Sequence, residues 1–140
     1  MKFWDTSALV PLLVRETDSD RRTEALRADP VIAVWWATLV ECESALQRRM
    51  REGYLDSVGA RAARERLAAL AAVWHEVAAS AALQTLAIRL LRTHPLRAAD
   101  SLQLAAALTL AAAGVPGLSF LSADARLADA AEIEGLVVVR

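Results

Sequence analysis

The sequence predicts an α/β fold in which a central, mostly parallel sheet of about five strands is flanked by helices. Short apolar runs of the kind that form buried strands alternate along the chain with longer segments of helical spacing. Such alternation is typical of parallel strands joined by crossover helices. The chain has 140 residues, 56% of them hydrophobic, and no linker or repeat divides it. We therefore expect a single domain spanning 1–140.

The first strand and helix are predicted from "KFWDTSALV" near the start of the chain. The apolar run over 1–4 ends abruptly at a carboxylate, as buried parallel strands often do when a helix follows. Asp5 or Thr6 is then a candidate cap for a helix that continues to about Val14.

Next in order we expect a surface helix over 18–28, a strand over 31–34, and helices over 35–51 and 56–74. Within 35–51 the residues Leu39, Cys42, Leu46 and Met50 recur at helical spacing, which indicates an inner face. Gly53 follows this helix and can adopt the left-handed conformation that ends it.

The second half repeats the alternation. We expect a strand over 77–79, helices over 80–92 and 98–113, a strand over 118–121, a helix over 122–131 and a final strand over 136–139. The apolar stretch over 102–115 contains Gln103 and Thr109 and is too short to cross a bilayer, so we interpret it as part of a core helix.

Charge and cysteine content narrow the class of protein. The net charge is −1 and the pI is about 6.1, so the chain lacks the basic balance of a dedicated nucleic-acid binder. Any polyanion must therefore bind to a local patch of basic residues. Cys42 is the only cysteine and cannot form an internal disulfide, and no signal peptide is evident. We expect a cytoplasmic protein that does not enter a membrane.

Four carboxylates occupy positions of interest. Asp5 directly follows the first predicted strand, and Asp124 follows "LSFL" by three residues. In an open α/β sheet, ligands bind beyond the carboxyl ends of the strands. Asp100 begins the alanine-rich helix, where negative charge is favoured. Glu41 lies within a helix, and its neighbours three and four positions away are small residues that leave room beside it.

Helix capping explains each aspartate, taken singly, about as well as a functional site does. Capping does not explain Glu41, although a mid-helix glutamate is ordinarily a solvated surface residue. Gathering several carboxylates at one sheet edge is costly unless a divalent cation neutralises them. Oxygen ligands suit Mg²⁺, with Mn²⁺ as the alternative, so the joint placement favours a site for such an ion.

The sequence resembles the PIN-domain family and, within it, the VapC-type toxins of bacterial toxin-antitoxin pairs. The matching segments, in order, are "DTSALV" (5–10), "ECESAL" (41–46), "LRAADSLQLAAAL" (96–108) and "FLSADARLADAA" (120–131). Four acidic motifs in the family's order, spread over essentially the whole chain, are far more specific than the first motif alone.

The resemblance implies a PIN-like three-layer fold and a particular site. It assigns Asp5 and Asp100 as principal metal ligands, Asp124 as a further ligand, and Glu41 as a ligand reached directly or through water. All four would be catalytic residues, while Ser7 and Ser122 match hydroxyl positions that help orient the acids. Glu43 falls outside the pattern.

The resemblance also implies an activity and partners. These are magnesium-dependent endoribonuclease cleavage of RNA, which leaves a 5′-phosphate and a 3′-hydroxyl, and inhibition by a small antitoxin of the VapB type. Homodimers, and heterotetramers or larger assemblies with the antitoxin, are implied as well. Since the chain is not basic overall, the RNA would meet a local arginine patch, either Arg48, Arg49 and Arg51 or Arg92 with Arg97.

Two other classes of protein are the alternatives. The first is a non-catalytic, alanine-rich α/β interaction module whose carboxylates only cap helices, with Trp35 and Trp36 as candidate contact residues. The second is a phosphatase or receiver domain. The phosphatase type requires an aspartate where this chain has Ser7, and the receiver type requires a late lysine, whereas the only lysine is Lys2. The sequence therefore argues against the second alternative.

Overall fold

Five strands form one sheet at the centre of the computed structural model, which describes all 140 residues. The strands are β1 (Lys2–Trp4), β2 (Ile32–Trp35), β3 (His75–Val77), β4 (Ser119–Leu121) and β5 (Val137–Val139). They lie in the order β3-β2-β1-β4-β5, and every pair is parallel. The expected α/β fold with a central sheet of five strands is confirmed.

Seven helices connect and cover the strands. They are α1 (Thr6–Leu13), α2 (Ser19–Ala28), α3 (Thr38–Arg51), α4 (Ser57–Ala71), α5 (Ala81–Thr93), α6 (Ala98–Ala112) and α7 (Ala125–Ile133). None of them combines the length and the apolar character that a membrane span requires. The middle of α6 is fully buried, as expected for a core helix.

Strand β1 is buried on both faces, which explains its run of aromatic residues. Phe3 belongs to a core formed with α5, α6 and α7, and its ring stacks on Phe120 with centroids 5.7 Å apart. Trp4 points to the opposite face and joins a second core formed with α1, α3 and α4. Because successive side chains of a strand alternate between faces, two adjacent aromatic residues fill two separate cores. The result is a three-layer arrangement of helices, sheet and helices.

Several predicted bounds and faces were wrong. Trp35 is the last residue of β2, paired with Val77 of β3, rather than the start of a helix. Strand β3 accordingly lies two residues earlier than the predicted 77–79. Leu39 is 45% exposed, so it does not belong to the inner face on which helical spacing placed it. The spacing of apolar residues located the helices. It did not show which side chains near the ends of each helix face the sheet.

The order of the strands determines where a site can form. Strand β1 lies between β2 and β4, so the connections after β1 and β4 leave the sheet in opposite directions. A crevice opens at such a switch point beyond the carboxyl ends of the strands. Asp5 follows β1 there, and the loop 122–124 follows β4.

We predict that Phe120→Ala lowers the free energy of unfolding by about 3–5 kcal/mol, because it removes a fully buried ring and leaves a cavity against Phe3. Denaturant titration followed by circular dichroism measures the change. Val58→Ala is the control, since Val58 is 76% exposed and should shift stability by less than about 1 kcal/mol. Equal effects of the two substitutions would contradict the description of two buried cores, one on each face of the sheet.

Candidate active site

Asp5 is a buried carboxylate at the carboxyl end of β1. The residue as a whole is only 5% exposed. Its Oδ2 atom accepts hydrogen bonds from the Ser7 backbone N–H at 3.2 Å, which caps α1, and from the Ser7 hydroxyl. The Ser122 hydroxyl donates to the same oxygen at 3.1 Å. Both serines singled out in the sequence therefore contact this one aspartate.

Burial raises the pKa of Asp5 to about 6. Desolvation destabilises the charged form, and the negative charge of Glu41 acts in the same direction. The hydrogen bonds from Ser7 and Ser122 offset only part of this effect. A carboxylate in such surroundings gains from a nearby cation, because the cation replaces the lost solvation.

The loop after β4 is tied to the start of α1. The Ser7 Oγ accepts a hydrogen bond from the Ala123 backbone N–H at 2.8 Å, and the Ser122 Oγ accepts one from the Asp124 backbone N–H at 3.0 Å. Asp124 in turn caps α7 by accepting from the Leu127 backbone N–H at 3.1 Å. Together with the bond from Ser122 to Asp5, these hydrogen bonds keep Asp124 beside Asp5, although 119 positions separate the two in sequence.

Glu41 faces the same region from α3 and is held by three donors. The Thr6 hydroxyl donates to its Oε2 at 2.6 Å and the Gln103 side-chain amide donates to the same oxygen at 2.7 Å. The Trp35 indole N–H donates to its Oε1 at 3.2 Å. Glu41 is therefore not a freely moving surface glutamate, which is the ordinary expectation for a mid-helix position.

Gln103 is the residue that anchors Glu41 from α6. It is 1% exposed, and its Nε2 also donates to Thr6 at 2.9 Å. Its Oε1 is buried without a hydrogen-bond partner. The opposite orientation of the amide would place this carbonyl oxygen against the Glu41 carboxylate, where two acceptors repel each other. The charge of Glu41 thus determines which way the amide faces.

Asp100 approaches from the first turn of α6. Its Oδ2 accepts a hydrogen bond from the Arg97 backbone N–H at 3.2 Å, so this aspartate supports the start of its own helix. The side chain is partly exposed and lines the same cleft as the other three acids.

All four carboxylates predicted from the sequence line one open cleft of about 520 Å³. Glu16 adds a fifth carboxylate, and the cations that line the cleft are Arg48 and Arg49. Five carboxylates against two guanidinium groups give the cleft an excess of negative charge in a chain whose net charge is only −1. Glu43 lies elsewhere, paired with Arg64 at 2.7 Å.

The donor set of the cleft suits a hard divalent cation. Asp5, Asp100 and Asp124 each use one carboxylate oxygen in a bond to a cap or hydroxyl, and the other oxygen accepts no hydrogen bond from the protein. Carboxylate oxygens are the ligands that Mg²⁺ and Mn²⁺ prefer. No three acidic, histidine or cysteine side chains converge as a ready-made coordination shell.

No cysteine or histidine side chain lines the cleft. Cys42 is fully buried, and burial raises the pKa of its thiol to about 12, so it is core filling rather than a nucleophile. His75 is exposed on β3, and His94 is buried against Glu134 at 2.7 Å. Neither histidine lines the cleft.

Four residues of this region were not predicted as site residues, namely Thr6, Glu16, Trp35 and Gln103. The sequence indicated Thr6 only as a possible helix cap, Trp35 only as a contact residue of the alternative interaction module, and Gln103 only as a polar residue inside an otherwise apolar helical stretch. Its partner Glu41 is 62 positions away, and nothing local relates the two.

Fold and cleft together define an α/β domain whose polar site is built from carboxylates at the switch point of a parallel sheet. A family model described as the PIN domain matches residues 2–133. The chain therefore belongs to the PIN-domain family, as the four acidic motifs predicted. A search of curated proteins found no match.

Solved structures support the same fold. VapC20 of Mycobacterium tuberculosis, described as a toxin that cleaves the sarcin-ricin loop, has 21% identity and a TM-score of 0.72 over 100% of this chain and 99% of that one. A toxin-antitoxin complex from Klebsiella pneumoniae has 19% identity and a TM-score of 0.68, and FitAcB from Neisseria gonorrhoeae has 16% and 0.69. Each of these two matches covers 100% of this chain and 97% of the other. At such identities the likeness establishes the fold.

We predict that Asp5→Asn stabilises the metal-free protein at neutral pH. The pKa of Asp5 is about 6 in the folded chain against 3.8 as the ordinary value, so ionisation penalises folding increasingly as the pH rises from about 4 to 6. Above that range the penalty is constant, on the order of 3 kcal/mol. Thermal unfolding in EDTA should show the stability advantage of the variant growing from about pH 4 to 6 and staying constant from there to pH 8.

The comparison variant is Glu134→Gln, for which the expected change in folding stability has the opposite sign. Hydrogen bonds from Arg89 and His94 lower the pKa of Glu134 to about 2, so its charge stabilises the fold above the ordinary carboxyl pKa. This variant should lose stability relative to the wild type at pH 8. An Asp5→Asn variant that is less stable than the wild type at pH 8 in EDTA would contradict the burial argument.

Proposed function

We propose that this PIN-domain protein is a divalent-metal-dependent endoribonuclease that acts as the toxin of a toxin-antitoxin pair. One observation carries the nuclease assignment. Asp5, Glu41, Asp100 and Asp124 come from four separate elements and line a single cleft. Membership of the PIN-domain family supports it, because the family model spans residues 2–133 and so includes all four acids.

The toxin assignment is supported by the structural relatives. One is a toxin that cleaves the sarcin-ricin loop and another is a toxin-antitoxin complex, and both align along nearly their whole length. On this support we propose RNA as the substrate and a small antitoxin as the inhibitor. The resemblance of the sequence to VapC-type toxins extends the proposal to an antitoxin of the VapB type and to a homodimer that assembles with it into a heterotetramer or a larger complex. The proposed site of action is the cytoplasm.

In the proposed mechanism, Asp5, Asp100 and Asp124 would hold one or two Mg²⁺ ions, or Mn²⁺ in their place. Bound there, the cation would supply a water of lowered pKa and neutralise charge on the departing oxygen of an in-line displacement. Asp5 provides a carboxylate whose orientation is set by Ser7 and Ser122. Without a cation, the carboxylates of the cleft would repel the anionic substrate.

Glu41 has a different part in the proposal. Both of its oxygens already accept hydrogen bonds, from Thr6 and Gln103 on one side and from Trp35 on the other. This occupancy favours a role in orienting water or the outer shell of the ion over direct coordination. The products would carry a 5′-phosphate and a 3′-hydroxyl.

An interaction module whose acids only cap helices accounts less well for the cleft. Serine or threonine can cap a helix without burying a charge, whereas Asp5 is buried at a cost in stability. Glu41 caps nothing, and three donors from distant positions nevertheless hold it. Charged residues that are held in place although they lower the stability of the fold are typical of functional sites.

We predict that Asp5→Asn and Asp100→Asn each reduce RNA cleavage by at least about a hundredfold while leaving the fold intact, because each removes a cation ligand. Purified protein is incubated with total RNA with Mg²⁺ or with EDTA, and the cut ends are mapped. Glu43→Gln is the matched control, since Glu43 lies outside the cleft, and it should cleave like the wild type. Cleavage that persists in excess EDTA would defeat the proposal.

A further prediction concerns Gln103. Replacing it with leucine removes one of the two donors to Glu41 Oε2 and should reduce cleavage about 10–100-fold, the usual effect of losing a residue that orients a site. Thr109→Val on the same helix is the control, because the Thr109 hydroxyl bonds only to the Ala105 carbonyl. Equal activity of the two variants at equal stability would show that Glu41 needs no such support.

A further inference from the structure

A second cavity of about 410 Å³ opens beside the carboxylate cleft. Glu16, Arg48 and Arg49 line both of them, so the two spaces adjoin, and we refer to them together as the groove. Arg15, Glu52 and Tyr54 line only the second cavity. The groove therefore changes character along its length, from an acidic centre to an edge where three arginines and two glutamates surround an exposed aromatic ring.

Arg48 is the unpaired cation of this edge. Arg15 forms an ion pair with Asp20 at 2.7 Å, and Arg49 is paired with Glu16. Arg48 is exposed, and its side chain takes part in no hydrogen bond or ion pair, although its backbone carbonyl accepts from the Glu52 N–H at 3.0 Å. Its guanidinium group keeps all its donors free for an anion, and two parallel N–H donors match a phosphate group.

Helix α3 relates this arginine to the acidic centre. Glu41 and Arg48 are seven residues apart on one helix and both line the cleft. Seven residues are about two turns, which places Arg48 about 10 Å farther along the groove than Glu41. A chain that carries repeated phosphates can therefore contact the acidic centre and Arg48 at the same time.

Tyr54 stands on a fixed turn at the end of α3. Gly53 has φ +79°, and the Gly53 and Tyr54 backbone N–H groups donate to the Met50 and Arg49 carbonyls at 3.1 and 2.9 Å. This hydrogen-bond pattern ends the helix rigidly. Tyr54 is nevertheless 80% exposed, so its ring does not pack against the helix as the hydrophobic residue of such a turn usually does.

From these observations we propose that Arg48 and Tyr54 form a nucleotide subsite of the groove, in which Arg48 binds an RNA phosphate and Tyr54 stacks on a base of the same strand. The inference rests on the proposed function, since it concerns the substrate of that cleft. Exposed aromatic rings beside arginines are a common platform for single strands. Five of the seven lining residues are charged, which argues against an apolar protein segment as the occupant.

Binding is tested separately from cleavage, in the Asp5→Asn background with Mg²⁺ present, because this variant should cleave at least about a hundredfold less while the cation offsets the repulsion of the remaining carboxylates. The probe is a fluorescein-labelled single-stranded RNA of roughly 12 nucleotides and mixed sequence. Tyr54→Ala should weaken binding by about tenfold or more, because a base–aromatic stack is worth about 1–3 kcal/mol. Tyr54→Phe keeps the ring and should bind like the parent.

The arginine is tested by Arg48→Gln with Arg61→Gln as the control. Arg61 is exposed on α4 and lines neither cavity. Arg48→Gln should weaken binding and reduce the slope of log affinity against log salt by about 0.7, the value for one phosphate contact on a single strand. Arg61→Gln should change the slope much less.

A probe with 2-aminopurine in place of adenine reports stacking directly. Its fluorescence should be quenched by the Asp5→Asn parent and by the Tyr54→Phe variant but not by the Tyr54→Ala variant. If the parent binds RNA and the Tyr54→Ala and Arg48→Gln variants bind it equally well, the subsite is wrong, whether or not the wild type is a nuclease. If the wild type shows no metal-dependent cleavage, the proposed function fails whatever these binding results are.

Discussion

The structure depends on one buried carboxylate. The central strand of a parallel sheet is covered on both faces, so the residue that follows it is held in the interior rather than at the surface. In this chain that residue is Asp5, and the hydroxyl groups of Ser7 and Ser122 are both directed at it. The start of α1 and the loop after β4 are joined through these contacts. Its charge destabilises the fold, and a cation would relieve that penalty.

The same elements that build the fold also build the cleft. Asp5, Asp100 and Asp124 each support the start of a helix with one oxygen and leave the other unengaged. Capping and ion binding are therefore compatible roles of a single side chain, not competing explanations. The capping bonds hold each aspartate in place before any ligand arrives, which reduces the entropy lost on binding.

Helix α3 accounts for how a slightly acidic protein can approach a polyanion. It presents Glu41 at the centre of the groove and Arg48 two turns later, and its rigid end exposes Tyr54. Net charge thus says little about this surface, because acidic and basic groups are separated along it. The aligned PIN-domain structures share this fold at 16–21% identity. Burying a short apolar strand on two faces is a requirement that many sequences can meet.

Local pattern by itself determined the alternation of strands and helices, a helix cap at Asp5 or Thr6, and the helix end at Gly53. Each of these depends on interactions within a few residues, which a sequence records directly. The four acids were predicted from their places in that alternation and from the family resemblance, and the structure brings them to one cleft. Only the tertiary structure decided that Gln103 holds Glu41 from 62 positions away and that the groove extends to Tyr54. Those contacts depend on how whole helices pack on the sheet, and no short stretch of sequence carries that information.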